Sequence, residues 1–192
     1  MSTLVQSPSQ TVGPYFSIGL IRQSGPQNVL VNQRTEGERI RIEGIVYDGA
    51  GVGIGDAMLE IWQADSHGRY RHPLDAVDGP RDAKFPGFGR CATGEGGSFY
   101  FETVKPGSLH VADRTRPAPH VNVALFARGM LVHAFTRMYF SDDALAEDPV
   151  LSVVDPDRRK TLVAERTERG TDVVYRWDIH LQGERETVFF DA

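Results

Sequence analysis

Six histidines, six tyrosines and one cysteine are the ligand- and nucleophile-capable side chains of this 192-residue chain, and spacing narrows the choice. The stretch Arg116 to Gly129 reads RPAPHVNVALFARG. From His120 to Ala127 the residues alternate as in a β-strand, with Val121, Val123, Leu125 and Ala127 on one face and His120, Asn122, Ala124 and Phe126 on the other. An H-x-H pair there would set two imidazoles side by side for a metal, with the apolar face fixing their direction. This chain carries H-x-N, and a neutral amide is a poor transition-metal ligand. Tyr70, His67 and His72 lie in a polar loop, and His110 follows the Pro106-Gly107 turn. Tyrosine in such a loop is ordinarily a packing residue and the loop histidines are ordinarily solvated. No GxSxG, phosphate-binding glycine loop, HExxH or 2-His-1-carboxylate spacing is present, so hydrolase and kinase chemistry lack support.

The elements that must position these residues are short. Ile40, Ile42 and Val46 alternate with Arg39, Arg41 and Glu43 in one strand. Ala57, Leu59 and Ile61 alternate with Met58, Glu60 and Trp62 in a second. The loop beyond, SHGRYRHPLDAVDGPRDAKFPGFG from Ser66 to Gly89, is rich in Gly and Pro and long enough to be functional rather than idle. Gly97 to Thr103 is a third strand, and the strand from His120 ends in a hairpin tip at Ala127 to Met130, with Leu131 to Phe140 returning. Asp155 as N-cap and Pro156 as first helical residue predict the one helix, from Asp155 to about Arg166. Val173 to Gln182 alternates as a single strand, with Val173, Tyr175, Trp177, Ile179 and Leu181 inward and Val174 outward. Some eight short strands, many turns and one helix give an all-β sandwich or partly closed barrel.

At 40% hydrophobic and 24% charged residues, the chain suits one globular domain, taken as 39–192 after an N-terminal arm and lead-in at 1–38. A net charge of -5 without any Lys/Arg cluster leaves no footprint for nucleic acid. No apolar run reaches the length of a membrane span, and the first residues lack a signal peptide's pattern, so the expected setting is cytoplasmic. Cys91 is the single cysteine and excludes an intrachain disulfide. It is expected to be a small buried residue. Tyr15, Phe16, Ile18 and Leu20 make the arm too apolar for a disordered tail.

Taken together, LEIWQADSHGRYRH at Leu59 to His72, GRCAT at Gly89 to Thr93, KPG at Lys105 to Gly107, RPAPH at Arg116 to His120 and RMYF at Arg137 to Phe140 resemble the intradiol ring-cleaving dioxygenases along nearly the whole chain. The resemblance implies a β-sandwich of transthyretin-like architecture and a non-haem ferric iron held by two tyrosines and two histidines. Tyr70 and His120 fall on two of those positions. Leu109 stands where the second tyrosine belongs and Asn122 where the second histidine belongs, and one residue more separates Arg116-Pro117 from His120. Half the ligand set is gone, so this chain is not expected to hold catalytic iron alone.

Some members of the family are built from two similar chains, only one of which binds iron. Pro8 to Tyr15, Ala118 to Asn122, Phe126 to Gly129 and Gly183 to Asp191 resemble the iron-free chain. The resemblance then implies that the arm and lead-in at 1–38 pack on a partner chain that holds the ferric ion, that Thr11, Gly13, Pro14 and Tyr15, with Arg128, line its substrate pocket, and that Arg128 helps hold a negatively charged aromatic substrate that reacts with O₂. Arg128 suits a carboxylate, and about eight extended residues, roughly 26 Å, separate it from His120. Two alternatives remain open: a complete enzyme with iron on Tyr70, His110 and His120, and a metal-free binding module on the same sandwich.

Overall fold

Alternation of apolar and polar residues at period two dictates strands, and nine form among the described residues. The computed structural model describes residues 10–13, 17–22, 27–75, 78–109 and 117–191. The strands are β1 (Arg39–Tyr47), β2 (Met58–Gln63), β3 (Phe88–Ala92), β4 (Ser98–Val104), β5 (His120–Phe126), β6 (Ala134–Phe140), β7 (Val163–Arg169), β8 (Asp172–Arg176) and β9 (Ile179–His180). Hydrogen bonding runs β3-β2-β5-β6-β7-β8-β1-β4, with β9 beside β1. The path folds over on itself at β7, whose Val163 and Ala164 pair with β6 and whose Glu165 to Arg169 pair with β8. The two halves face each other across one core. Leu59, Ile61, Val121, Val123, Leu125 and Met138 from one side meet Ile40, Ile42, Phe99, Phe101 and Tyr175 from the other. Stacked sheets of this kind exclude water from both inner faces. The all-β sandwich read from the sequence is the fold observed.

Three sequence expectations need correction. The helix is not at Asp155 to Arg166: α1 is Pro149–Val153, capped by Asp148, while Arg159–Leu162 is a 3₁₀ turn and the remainder enters β7. The Asp-Pro start signal is real, but it operates one segment earlier. Asp155 carries only a turn, accepting at its carboxylate from Asp157 N and at its carbonyl from Arg158 N, and pairing of Val163 and Ala164 with β6 claims extended backbone. Second, β3 lies at the end of the segment read as loop. Its Gly89 leaves no space for a side chain, since a Cβ would stand 2.7 Å from Leu30 Cδ1, and glycine weakens the strand signal. Third, Val173 to Gln182 is interrupted. The Asp178 carboxylate accepts from Ile45 N at 2.9 Å in place of a ladder bond, and Val174 is buried rather than outward.

Part of the lead-in packs on the domain itself. Residue Gln27 bridges to Arg90 of β3 and Val29 to Glu102 of β4, spanning the two end strands of the sheet, and Leu30 enters the core. Ahead of it, Ile18–Arg22 forms one π-helical turn. Cys91 is half-buried, with Sγ donating to Ala92 O at 3.1 Å. No helix among the described residues is long and apolar enough to cross a membrane.

Candidate functional site

Strand register decides which side chains meet at the start of β5. His120 lies opposite Tyr139, and Asn122 lies between Arg137 of β6 and Trp62 of β2. The long loop supplies Tyr70, held by the buried Asp65 and the half-buried Asp75. Asp65 accepts from His67 N, Arg69 N and Asp82 N at 2.9, 3.0 and 2.8 Å. Asp75 accepts from Tyr70 N at 2.6 Å and pairs with the buried Arg69 at 2.8 Å. Trp62 stacks on the Tyr70 ring with centroids 5.8 Å apart. A polar loop that satisfies its own backbone in this way holds its tyrosine in a fixed place.

The four side chains form a hydrogen-bond chain with one consistent direction. Arg137 Nε donates to Asn122 Oδ1 at 3.1 Å, and Asn122 Nδ2 donates to the Tyr70 hydroxyl at 3.2 Å. That hydroxyl is 3.3 Å from His120 Nε2, and His120 Nδ1 is 2.7 Å from Ala118 O. A carbonyl can only accept, so the His120 proton sits on Nδ1 and Nε2 accepts from Tyr70. Burial, with the Arg137 charge added, pushes His120 down from 6.5 to about 4. Burial pushes the Tyr70 phenol up. Both groups are therefore neutral at pH 7, and Tyr70 keeps the proton that it would lose as a ligand.

This donor set does not fit ferric iron. Tyr70 and His120 spend their ligand positions on each other, Asn122 offers an amide, and a guanidinium cation adjoins the cluster. Leu109, half-buried after the Pro106-Gly107 turn, offers no donor atom. Among the described residues, no group of three His, Cys, Asp or Glu side chains is arranged for a metal. His110 and Arg116 lie outside the described residues, as do Pro14 and Tyr15 of the arm. His67 faces Glu36 at 2.9 Å and His72 is exposed, so neither joins Tyr70.

Sequence reasoning missed Arg137 and Asp148 as parts of this cluster. Arg137 appeared only inside the RMYF motif; the cross-strand register to Asn122 singles it out, and that depends on a hairpin turn longer than Ala127 to Met130. Asp148, 1% exposed, accepts from Ala118 N and Tyr139 OH, each at 2.9 Å, and caps α1. It anchors Ala118, whose carbonyl accepts the hydrogen bond from His120 Nδ1.

A second constellation lies at the far end of β5. Thr11 Oγ1 accepts from Gly129 N at 2.8 Å, tying the arm to the hairpin tip. Gly13, Asp56 and Arg128 border one cleft of about 480 Å³, walled further by Ile21, Met58 and Phe126. The Arg128 side chain is 80% exposed and its Nη1 lies 3.0 Å from Asp56 Oδ2. Asp56, in the turn before β2, was not among the sequence candidates. Thr11, Gly13 and Arg128 thus share one patch, separated from the Tyr70–His120 cluster by the length of β5.

Comparison with known proteins agrees with the resemblance read from the motifs. The dioxygenase family model matches residues 11–183. The chain is 46% identical over 204 residues, covering 100% of both chains, to the protocatechuate 3,4-dioxygenase alpha chain of Burkholderia cepacia. It is 35% identical over 169 residues to the beta chain from the same organism, covering 84% of this chain and 72% of that one. Among solved structures, the dioxygenase domain of a dioxygenase–carbohydrate-binding protein fusion from Streptomyces sp. SirexAA-E superposes with a TM-score of 0.61 at 26% identity, over 94% of this chain and 98% of that one. Full-length identity at this level, on the two-layered fold described above, places the chain in the intradiol ring-cleavage dioxygenase family.

Proposed function

We propose that this chain is the iron-free alpha-type subunit of a protocatechuate 3,4-dioxygenase, completing the substrate pocket of a beta-type partner that holds the ferric ion. The complex cleaves 3,4-dihydroxybenzoate with O₂ between its hydroxylated carbons to 3-carboxy-cis,cis-muconate, in aromatic catabolism through the beta-ketoadipate pathway. The ferric ion supplies the oxidative chemistry, and this chain supplies pocket wall and charge. One observation carries the reading. Thr11, Gly13 and Arg128 form a single exposed patch too far from the Tyr70–His120 cluster to serve it. An exposed patch of this kind supports a role toward a second chain. Pro14 and Tyr15, next along the arm, complete the contribution. A partner of the same fold pairs about a pseudo-twofold axis over an interface of about 2,000 Å² or more.

Elemental iron in the separately purified chain, followed by reconstitution with the partner, tests this. The expected result is substoichiometric iron, no activity alone, and activity on mixing. In the mixed enzyme Arg128→Ala raises KM for the carboxylated substrate about 10- to 100-fold, the range of one charge-assisted hydrogen bond. One iron per isolated chain, with the visible absorption of a tyrosinate–ferric complex, overturns the proposal.

A further inference from the structure

Arg128 borders two clefts rather than one. Besides the cleft shared with Gly13, it borders a second of about 530 Å³ lined by Val52, Met130 and Phe189. Asp56 belongs to the first cleft alone and meets Arg128 through one nitrogen, Nη1, at 3.0 Å. Among the described residues this is the one ion pair formed by Arg128, so the rest of its five-donor fork is free to meet a planar carboxylate. Asp56 therefore does two things at once. It stands on the arm side of the guanidinium, and it sets a negative charge beside the group that would anchor an anion.

The second effect matters because intradiol cleavage changes the charge of what is bound. A dihydroxybenzoate enters with one carboxylate. Breaking the ring bond between the hydroxylated carbons, with both oxygens of O₂ incorporated, makes two further carboxyl groups and releases two protons at neutral pH. The product leaves as a tricarboxylate. A carboxylate next to the anchoring arginine opposes three charges more than one.

We propose that Asp56 is a positioning and specificity-determining residue that holds Arg128 over the arm cleft, partly neutralised, so that the patch retains a monocarboxylate substrate and releases the ring-opened tricarboxylate. The proposal rests on the pocket-completing role of Arg128 given above. An Asn at position 56 keeps an oxygen that can accept from the guanidinium but removes the charge, so the two effects separate.

The test uses the complete enzyme reconstituted with its iron-holding partner, carrying Asp56→Asn, Asp56→Glu or Arg128→Gln. Read out are KM for 3,4-dihydroxybenzoate, KM for uncharged catechol, and the inhibition constant of the tricarboxylate product. Asp56→Asn is expected to lower the dihydroxybenzoate KM about threefold and to tighten product inhibition about tenfold, with catechol unmoved and Asp56→Glu close to the parent. A merely structural role predicts weaker binding of all three ligands. Equal factors for substrate and product, no change, or a loss of affinity in Asp56→Asn overturns the inference. Asp56→Ser, scored in the same way, replaces Asn if that variant does not co-purify with the partner. An Arg128→Gln enzyme that keeps its dihydroxybenzoate KM refutes the anchoring role itself, whatever Asp56 does.

Discussion

Replacing Asp148 by alanine tests whether the Tyr70–His120 cluster is a folded polar core in its own right. The carboxylate is 1% exposed and accepts four hydrogen bonds, each of 2.9 Å, from Ala118 N, Tyr139 OH, Val150 N and Leu151 N. Alanine removes the helix cap, worth about 1 kcal/mol, and leaves the Ala118 and Tyr139 donors buried without their partner at about 1–3 kcal/mol each. The sum is a loss of about 4 kcal/mol. Tyr139→Phe deletes one donor and leaves the other three bonds, so it costs about 1 kcal/mol. Asp148→Asn falls between them: its amide turns a second donor towards Ala118 N–H while the other oxygen still serves Tyr139 and the cap. Urea unfolding followed by tryptophan fluorescence, with far-ultraviolet dichroism as a second probe, ranks the three. If Asp148→Ala lies within about 1 kcal/mol of Tyr139→Phe, the network is not what fixes the start of β5, and the reasoning fails.

The pH dependence of stability has a definite sign. His120 is held down to about 4 against 6.5, so below pH 6.5 the unfolded chain takes up a proton that the folded chain refuses, and stability falls by up to about 3 kcal/mol between pH 6.5 and 4. A His120→Gln variant should lose that part of the slope in urea midpoints; identical slopes would show that another group carries it. Asn122→His alone should bind no ferric iron, because Leu109 still lacks a donor and Arg137 Nε faces the new imidazole. Stoichiometric iron with tyrosinate colour in that variant would contradict the account of the donor set.

Periodicity made β1, β2, β4 and β5 legible, because in each a mostly aliphatic or aromatic inward set alternates with side chains that are more exposed or more polar. It did not show where a ladder bond is exchanged for a side chain. From Val173 to Leu181 the alternation is continuous in sequence, yet Gly44 lets Trp177 O come so close that a Cβ would stand 1.8 Å from it, and Asp178 takes over the hydrogen bond of Ile45 N. The segment 155–166 failed for a related reason. Its start signal is local, whereas Val163 and Ala164 are claimed by pairing with Tyr139 and Phe140 from another element. At the site, Tyr70, His120 and Asn122 were found as a set because the motifs name them, and the structure brings all three into one chain of hydrogen bonds. Arg137 and Asp56 were hidden because each gains its meaning from a partner distant in sequence: Asn122 across a hairpin, and Arg128 across two strands.

The bridges from Gln27 to β3 and from Val29 to β4 bear on how such a chain chooses its company. An uncovered edge strand is a template for any extended chain, including another copy of itself. Here both end strands of the sheet are engaged by one short segment of the same chain. Self-propagating ladder growth is blocked at these two places, which leaves shape and charge on the loops and faces to sort partners. The cost of opening either edge is the loss of these bridges, and that guards the folded chain against fibre formation at high concentration.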